Sequence, residues 1–189
     1  MKYLFIIGAI LFLNFNDNIC YSQNCGKERW SIKTLSDKDT LKIDFNNIQK
    51  STISSQKGFE KPFINSIAPR QITEDTVYSI ECFLLAYKKE DDMDIHLLIK
   101  DLITQDTMVA EIPDAICTSI QQTSRWNDFI LLNNWFIKNI GMPTNRFTYL
   151  NTPIKVQIIG VGFFDFMHGQ KGMLKNGREI HPVLSMKKL

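Results

Sequence analysis

The sequence predicts a mostly β domain with a single helix. This prediction rests on the spacing of apolar residues, which changes twice along the chain. Apolar residues alternate with period two from residue 76 to 113, which is typical of half-buried strands. They then recur at a helical spacing up to Gly141 and return to period two over 152–186. The expected order is therefore three strands, one helix and two strands.

The first three strands are expected at 76–90, 94–102 and 107–113, where β-branched and aromatic residues are frequent. The connections between them, DDMD and ITQD, are short and polar, which suits hairpins. These strands are therefore predicted to form two successive hairpins.

The helix is expected between Pro113 and Gly141, since glycine favours a helix end. Its predicted apolar residues are Phe129, Leu132, Trp135, Phe136 and Ile140. We interpret the aromatic members as core packing rather than as a ligand platform. Two further strands are expected, at 152–166 and 178–186, where period two returns.

The N-terminal third is expected to have little regular structure. Residues 23–75 are predicted to be an irregular extension that wraps over a domain spanning 76–189. The part from 36 to 75 is polar, contains two prolines and has too few periodic apolar residues to form its own core. Before it, residues 25–35 form a short mixed segment that we interpret as a strand.

Three strands, a helix and two strands is the element order of the OB-fold, a small Greek-key barrel. The predicted fold class is therefore all-β with one helix, arranged as an OB-fold-like five-stranded Greek-key barrel with an irregular N-terminal wrap. OB-folds bind oligonucleotides and oligosaccharides, and other small α+β folds share the element order. The order by itself therefore indicates no function.

Residues 1–22 are predicted to be a secretory signal peptide, because Lys2 precedes an apolar run and a small residue, Ser22, suits cleavage. Lipid attachment at Cys20 is less favoured, because the small residue that usually precedes a lipidated cysteine is missing. The expected location is secreted or periplasmic, with no membrane span after cleavage. The net charge of +2 gives no strong signal for a nucleic-acid partner.

Three cysteines remain after the predicted cleavage, and export makes pairing possible. Cys82 is in phase with the apolar residues of the first strand, which favours a buried free thiol. Cys25 and Cys117 are therefore expected to form the disulfide. A zinc site is the alternative, but the chain has no CxxC or HxxxH spacing to support it.

All three histidines are expected at one end of the barrel. His96 follows the loop between the first two strands, while His168 lies in the loop between the last two and His181 follows that loop. In an OB-fold these loops lie beside the binding face. Imidazole and carboxylate together suit a transition metal or an acid–base pair. The histidines are therefore the candidate metal ligands, and with Asp165 and Glu179 they are the candidate catalytic residues.

The strand phases support a common site. Ile95, Leu97 and Ile99 share one face of their strand, which leaves His96 on the other. The candidate ligand-binding residues are Asp94, Gln170, Asn176 and Arg70. A structural interpretation stays open for each of them, because a single histidine on a strand is most often bonded locally and the EDDMD run is most often a solvated loop.

Four blocks of the sequence resemble, in order, those of a functionally uncharacterised family of secreted bacterial proteins. The blocks are CGKERWSIKTLSD, TVYSIECFLLAYKKEDDMDIHLLIKD, TMVAEIPDAIC and GVGFFDFMHGQKGMLKNGREIHPVLSM. The resemblance covers nearly the whole mature chain and follows the pattern CGxERW, EIPxxxC, GVGFFDFxHGQxG and NGxEIHPVLS. It implies export, but it supplies no activity, substrate or cofactor to transfer to this chain.

Three functions are compatible with these features. The leading hypothesis is a secreted OB-type domain that binds a small ligand or a divalent metal at the His/carboxylate cluster between the two loops. The second is a metal-assisted hydrolase that acts on an oligomeric substrate, like a phosphodiesterase or nuclease. The third is a structural envelope protein. No GxSxG, P-loop or HExxH motif occurs, which disfavours covalent hydrolysis and nucleotide cradling.

Overall fold

The computed structural model describes residues 25–117, 120–166 and 169–189, and the protein is mostly β. The predicted signal peptide, Cys20 and His168 lie outside these described residues. Within them, no helix is long and apolar enough to cross a membrane.

Six strands form one mixed sheet, and three α-helices accompany it among the described residues. The strands are β1 (Ile48–Ser51), β2 (Val77–Lys89), β3 (Ile95–Asp101), β4 (Thr107–Ile112), β5 (Thr148–Phe164) and β6 (Arg178–Lys188). The helices are α1 (Trp30–Lys33), α2 (Ile53–Lys57) and α3 (Trp126–Asn139). A mostly β chain with few helices is thus confirmed, and β2 to β6 and α3 lie where the hydrophobic periods place them.

The sheet order is β1-β2-β3-β4-β6-β5, and β5 also pairs with β2. Each strand from β2 to β6 therefore has a strand neighbour on both sides. Most of these pairs are antiparallel, but β4 and β6 run parallel and meet in register at Ala110 and Ile180. This pairing places the third predicted strand beside the last one.

The two faces of the sheet contact two separate apolar clusters. The larger one contains Ile95, Leu97 and Ile99 of β3, together with Ala110 of β4 and Ile180 of β6. The smaller one contains residues of the N-terminal segment, of α3 and of the opposite sheet face, among them Leu35, Ile43, Val77, Phe129 and Val161. Both faces of the central strands are consequently shielded from solvent.

The predicted strand within residues 25–35 is wrong, because this segment contains the helix α1. Arg29, just before α1, has a left-handed backbone with φ of 49°. Its guanidinium forms a buried ion pair with Glu74 and donates a hydrogen bond of 2.7 Å to the Phe164 carbonyl. These contacts fix the start of the segment as a turn, so that it cannot extend along a strand.

The remainder of the N-terminal extension contains only short regular elements among the described residues. Its longest helices, α2 and a 3-10 helix over Lys38–Lys42, have five residues each. The four-residue strand β1, which we did not predict, pairs in parallel with the start of β2. Backbone pairing with an existing strand edge stabilises it, although its own residues are mostly exposed.

The predicted disulfide is confirmed, since Cys25 and Cys117 are bonded with Cα atoms 5.9 Å apart. Cys82 is a buried free thiol, as its strand phase indicates. Burial raises the pKa of Cys82 to about 12, and the nearby charge of Asp101 adds to this effect. The disulfide joins the segment before α1 to the loop that follows β4.

Candidate functional site

Neighbouring strands bring His96, Glu111 and His181 together on one face of the sheet. His96 of β3 lies directly opposite Glu111 of β4 in the antiparallel register. β4 and β6 lie side by side in parallel, with Ala110 opposite Ile180. The next residues along the two strands, Glu111 and His181, are therefore also neighbours. Because Ala110 and Ile180 belong to the larger core, alternation turns these polar side chains to the opposite face.

Glu111 lies between the two imidazoles. Its Oε1 is 3.1 Å from Nδ1 of His96, and its Oε2 is 3.1 Å from Nδ1 of His181. Both histidines are completely buried, and Glu111 is 2% exposed. One carboxylate therefore connects two imidazoles in a place that solvent does not reach.

Further carboxylates surround His181. Its Nδ1 is 3.2 Å from Glu179 Oε1, and its Nε2 is 3.2 Å from Asp94 Oδ2. Asp94 is held in place because its Oδ1 accepts a hydrogen bond from the backbone N–H of Asp114. Three carboxylates thus contact the two ring nitrogens of His181.

His96 has a similar but less enclosed environment. Its Nδ1 is 3.1 Å from Glu90 Oε1 in addition to Glu111, and its Nε2 is 3.4 Å from the carbonyl oxygen of Lys171. The other carboxylate oxygen of Glu90 forms a 2.8 Å ion pair with Lys88. Each Nδ1 in the site therefore lies near two carboxylate oxygens.

A single ring N–H donates to only one of the two oxygens, so the other oxygen receives no hydrogen bond from that nitrogen. In agreement with this count, four buried atoms of the site make no hydrogen bond among the described residues. They are Glu90 Oε1, Asp94 Oδ2, Glu179 Oε2 and His181 Nε2. Buried polar atoms are normally paired, because leaving one unpaired costs about 1–3 kcal/mol. Within the described residues, the site thus has acceptors without a hydrogen-bond donor.

The pKa values reflect this crowding of acids. Burial, followed by the charge of Glu111, raises the pKa of Glu179 to about 8. Burial raises the pKa of Asp94 to about 6. Burial alone would raise the pKa of Glu111 as well, but hydrogen bonds to His181 and His96 hold it well below its usual range. The carboxyl groups therefore do not all ionise together at neutral pH without further positive charge.

The histidines respond in the opposite sense. Burial alone would lower the pKa of His96, but the carboxylates of Glu111 and Glu90 beside its Nδ1 raise it to about 9. For His181 the three surrounding carboxylates likewise overcome burial and hold the pKa well above its usual range. The site thus attracts positive charge, whether that charge comes from protons or from a cation.

Lys33 of α1 also approaches the buried acids, with its Nζ 3.9 Å from Asp165 Oδ2. Burial alone would lower the pKa of Lys33, but Glu111 and neighbouring carboxylates hold it above its usual range. A cavity of about 510 Å³ reaches Lys33 and Asp92 from the surface beside Cys25. Its lining contains no residue of either metal-ligand set, so it ends beside the cluster rather than in it.

Two groups of side chains have the composition and spacing of metal-ligand sets. One consists of Glu90, His96 and Glu111, and the other of Asp94, Glu111 and His181. Within each group, one ligand atom per residue lies within 4.8 Å of the others. Glu111 belongs to both groups, and each of its oxygens is directed to a different histidine.

Several predicted site residues lie in or beside this cluster. His96, His181, Asp94 and Glu179 contact one another through Glu111 or directly. Asp165 contacts Lys33 at the margin. Gln170 precedes Lys171, whose carbonyl contacts His96, and its own Oε1 is buried without a hydrogen bond among the described residues.

Two other predicted ligand-binding residues have structural contacts instead. The side-chain amide of Asn176 donates to carbonyl oxygens of Gln56 and Phe59 and thereby ties the last loop to α2. Arg70 forms an ion pair of 2.6 Å with Asp37 within the N-terminal segment. The described contacts of both residues thus hold chain segments together.

Glu111, the residue at the centre of the cluster, is not among the residues predicted from the sequence. A signal for it exists: a glutamate between Ala110 and Ile112 interrupts a short apolar strand. Alternation alone places it on the same face as Val109, but nothing local shows that two histidines lie beside it. Lys33 was missed because the segment that carries it was interpreted as a strand.

No family model, curated protein or solved structure matches this chain. The resemblance to a family of secreted bacterial proteins therefore stays a prediction, and a function for this chain is inferred from the geometry of the site.

Proposed function

We propose that this protein is an exported OB-type domain that binds a divalent transition-metal cation through Asp94, Glu111 and His181. One observation carries the proposal: Asp94 Oδ2 and His181 Nε2 are fully buried, lie 3.2 Å apart and make no hydrogen bond among the described residues. A cation would satisfy both atoms at once. Imidazole with carboxylate oxygens is a ligand set that zinc and neighbouring metals accept.

The spacing of the ligand atoms supports coordination. Two atoms that each lie about 2.0–2.2 Å from one ion are about 3.0–3.5 Å apart, depending on the angle between them. Asp94 Oδ2 lies 3.2 Å from His181 Nε2, whereas Glu111 Oε2 and Glu179 Oε1 lie 3.1 and 3.2 Å from the other ring nitrogen, Nδ1. Since one ion uses only one nitrogen of a ring, binding at Nε2 requires the Glu111 carboxylate to shift toward Asp94, and one ligand atom of each of the three residues already lies within 4.8 Å of the others.

The order of strand pairing supports the OB-type architecture. The five strands pair in the cyclic sequence β2–β3–β4–β6–β5, and β5 returns to β2. An OB-fold is a five-stranded, partly open Greek-key barrel with a helix between its third and fourth strands, the place that α3 has here. The predicted secretion is supported by the disulfide, since such bonds persist in oxidising compartments.

The two alternative functions have less support. A hydrolase of oligomeric substrates needs an accessible centre, whereas His96 and His181 are completely buried. The apolar cavity of about 610 Å³ beside α3 has no residue of either metal-ligand set in its lining. A merely structural cluster would satisfy its own polar atoms, whereas this one leaves four without hydrogen bonds to any part of the chain that the structure describes.

The first prediction concerns metal content. We expect the purified chain, stripped with a chelator and dialysed against Zn²⁺, to retain at least one ion per chain. Zn²⁺ should also raise the melting temperature, because a ligand at one hundred times its Kd stabilises the folded state by about 2.7 kcal/mol. The double variant Asp94→Asn/His181→Gln should lose both the ion at this site and the part of the thermal shift that it causes.

Glu81→Gln is the matched control, because Glu81 also lies on a strand of the sheet but outside the cluster. Its side chain is 49% exposed and forms an ion pair with Lys155. This variant should retain the metal content of the wild type. Elemental analysis after gel filtration measures the stoichiometry. A folded wild-type chain that retains no Zn²⁺ would overturn the proposed function.

A further inference from the structure

Glu111 directs its second oxygen away from His181, to a separate group of possible ligands. Its Oε1 and Glu90 Oε1 both lie 3.1 Å from Nδ1 of His96. We infer that the centre holds two divalent cations bridged by Glu111, the second bound by Glu90 and His96. This inference rests on the proposed function, because it adds an ion to the same centre.

The orientation of His96 supports a role as a ligand. Its Nε2 faces the carbonyl oxygen of Lys171, an acceptor only, at 3.4 Å. A proton on Nε2 satisfies that contact and leaves Nδ1 with a free lone pair toward Glu90 and Glu111. Metal-ligating histidines commonly donate their other ring N–H to a carbonyl or carboxylate in this way.

The unsatisfied oxygen of Glu90 gives a second, independent reason. Glu90 Oε1 is buried and makes no hydrogen bond among the described residues, although it lies 3.1 Å from the imidazole. Nδ1 of His96 carries at most one proton, so its N–H donates a hydrogen bond either to Glu90 Oε1 or to Glu111 Oε1. A cation in the same place contacts all three ligand atoms together.

The local charge accommodates a second cation. Six carboxyl groups lie in this region, whereas the recorded ammonium contacts to them come from Lys33 and Lys88. The six belong to Glu90, Asp92, Asp94, Glu111, Asp165 and Glu179. When the carboxyl groups are ionised and the imidazoles are neutral, as metal binding requires, one divalent cation and the two ammonium groups leave a negative charge that a second cation would neutralise.

Glu111 is also placed to bridge two ions. Two-metal centres in proteins hold their ions about 3.5–4 Å apart. The two oxygens of Glu111 each lie 3.1 Å from the Nδ1 atom of a different histidine, so that each oxygen belongs to its own ligand set. Glu111 is therefore the residue on which both ions depend.

The test uses the same full chain, with its disulfide intact, and Zn²⁺ as the probe. We expect two Zn²⁺ per wild-type chain and one per chain in His96→Gln. Because His96 is completely buried, its replacement could destabilise the fold, and Glu90→Gln is the second variant. Glu90→Gln should also bind one ion, or bind the second ion at least tenfold more weakly than the wild type. Glu81→Gln should keep two.

The outcomes separate this inference from the proposed function. One ion in the wild type and an unchanged single ion in Glu90→Gln would overturn the bridged pair but leave the first site standing. No ion in the wild type would overturn both. Loading with Mn²⁺ provides a second readout, because a bridged pair gives a spin-coupled electron paramagnetic resonance spectrum. A simple six-line spectrum at two bound ions would contradict the bridge.

Discussion

The guanidinium of Arg70 joins separate parts of the N-terminal segment. It pairs with Asp37 at 2.6 Å and donates hydrogen bonds to the carbonyl oxygens of Glu74 and Ile32. Only 2% of its side chain is exposed. A guanidinium can bind an anionic ligand, but the N–H groups of Arg70 already donate to these partners within the N-terminal segment.

This pair gives a prediction at the residue scale. Burial would raise the pKa of Asp37, but hydrogen bonding and the charge of Arg70 hold it below its usual value. A carboxyl with a depressed pKa stabilises the fold above its unfolded pKa of about 3.9, and this contribution is lost as pH falls through the folded value. Asp37→Asn should therefore reduce the free energy of unfolding at pH 7 by about 1–3 kcal/mol.

The difference between wild type and Asp37→Asn should shrink as the pH is lowered from 5 toward 2, as followed by urea denaturation at each pH. Asp44→Asn is a suitable control, because Asp44 accepts its recorded side-chain hydrogen bond from the exposed backbone N–H of Asn46. A difference that stays constant with pH would show that the charge of Asp37 is not what stabilises this segment.

At the scale of elements, α3 connects the two apolar clusters. Phe129 contributes to the smaller cluster, whereas Leu132 and Phe136 contribute to the larger one. The ring of Phe136 also packs edge-on against Tyr87 of β2, with centroids 5.1 Å apart. The helix therefore holds both sides of the sheet region together, although only part of its circumference is buried.

Phe136→Ala is the prediction for this element. Phe136 is fully buried, so we expect the variant to lower the free energy of unfolding by about 3–5 kcal/mol through lost burial and the cavity that remains. Leu131→Ala on the same helix is the control. Leu131 is 68% exposed, and its removal should change stability by less than about 0.5 kcal/mol. Equal effects in chemical denaturation would contradict the described orientation of α3.

At the scale of the whole molecule, the disulfide closes a long loop of chain. Cys25 and Cys117 are 92 positions apart, and the loop between them contains α1, α2 and strands β1 to β4. Both ends adjoin the candidate site, since Cys25 lines the cavity that reaches Lys33 and Cys117 follows the strand that carries Glu111. The bond thus ties the N-terminal segment over the site.

Removal of this bond should destabilise the protein substantially. In the chain-entropy model, a loop of this length contributes about 4–5 kcal/mol. We expect Cys25→Ser/Cys117→Ser to lower the denaturation midpoint accordingly, and a dithiol reductant to have the same effect on the wild type. The double variant should be insensitive to the reductant, which serves as the internal control. A wild type whose midpoint is unchanged after verified reduction would contradict the role of the bond.

Hydrophobic period alone was sufficient to locate β2 to β6 and α3, because alternation and helical spacing are local properties of the chain. The same alternation predicted which way His96 and Cys82 face. The extension before β2 was harder to predict. The strand β1 lacks an alternating pattern and exists through backbone pairing with β2, which is a tertiary contact.

The sequence by itself therefore determined a β-rich chain, its disulfide partners and the polar faces of two strands. The tertiary structure decided that Glu111 lies between His96 and His181 and that all three are buried. The physical reason is that β4 and β6 are far apart in the chain and meet through the parallel register at Ala110 and Ile180. Local side-chain preferences do not specify a register between distant strands; the packing of the whole sheet does.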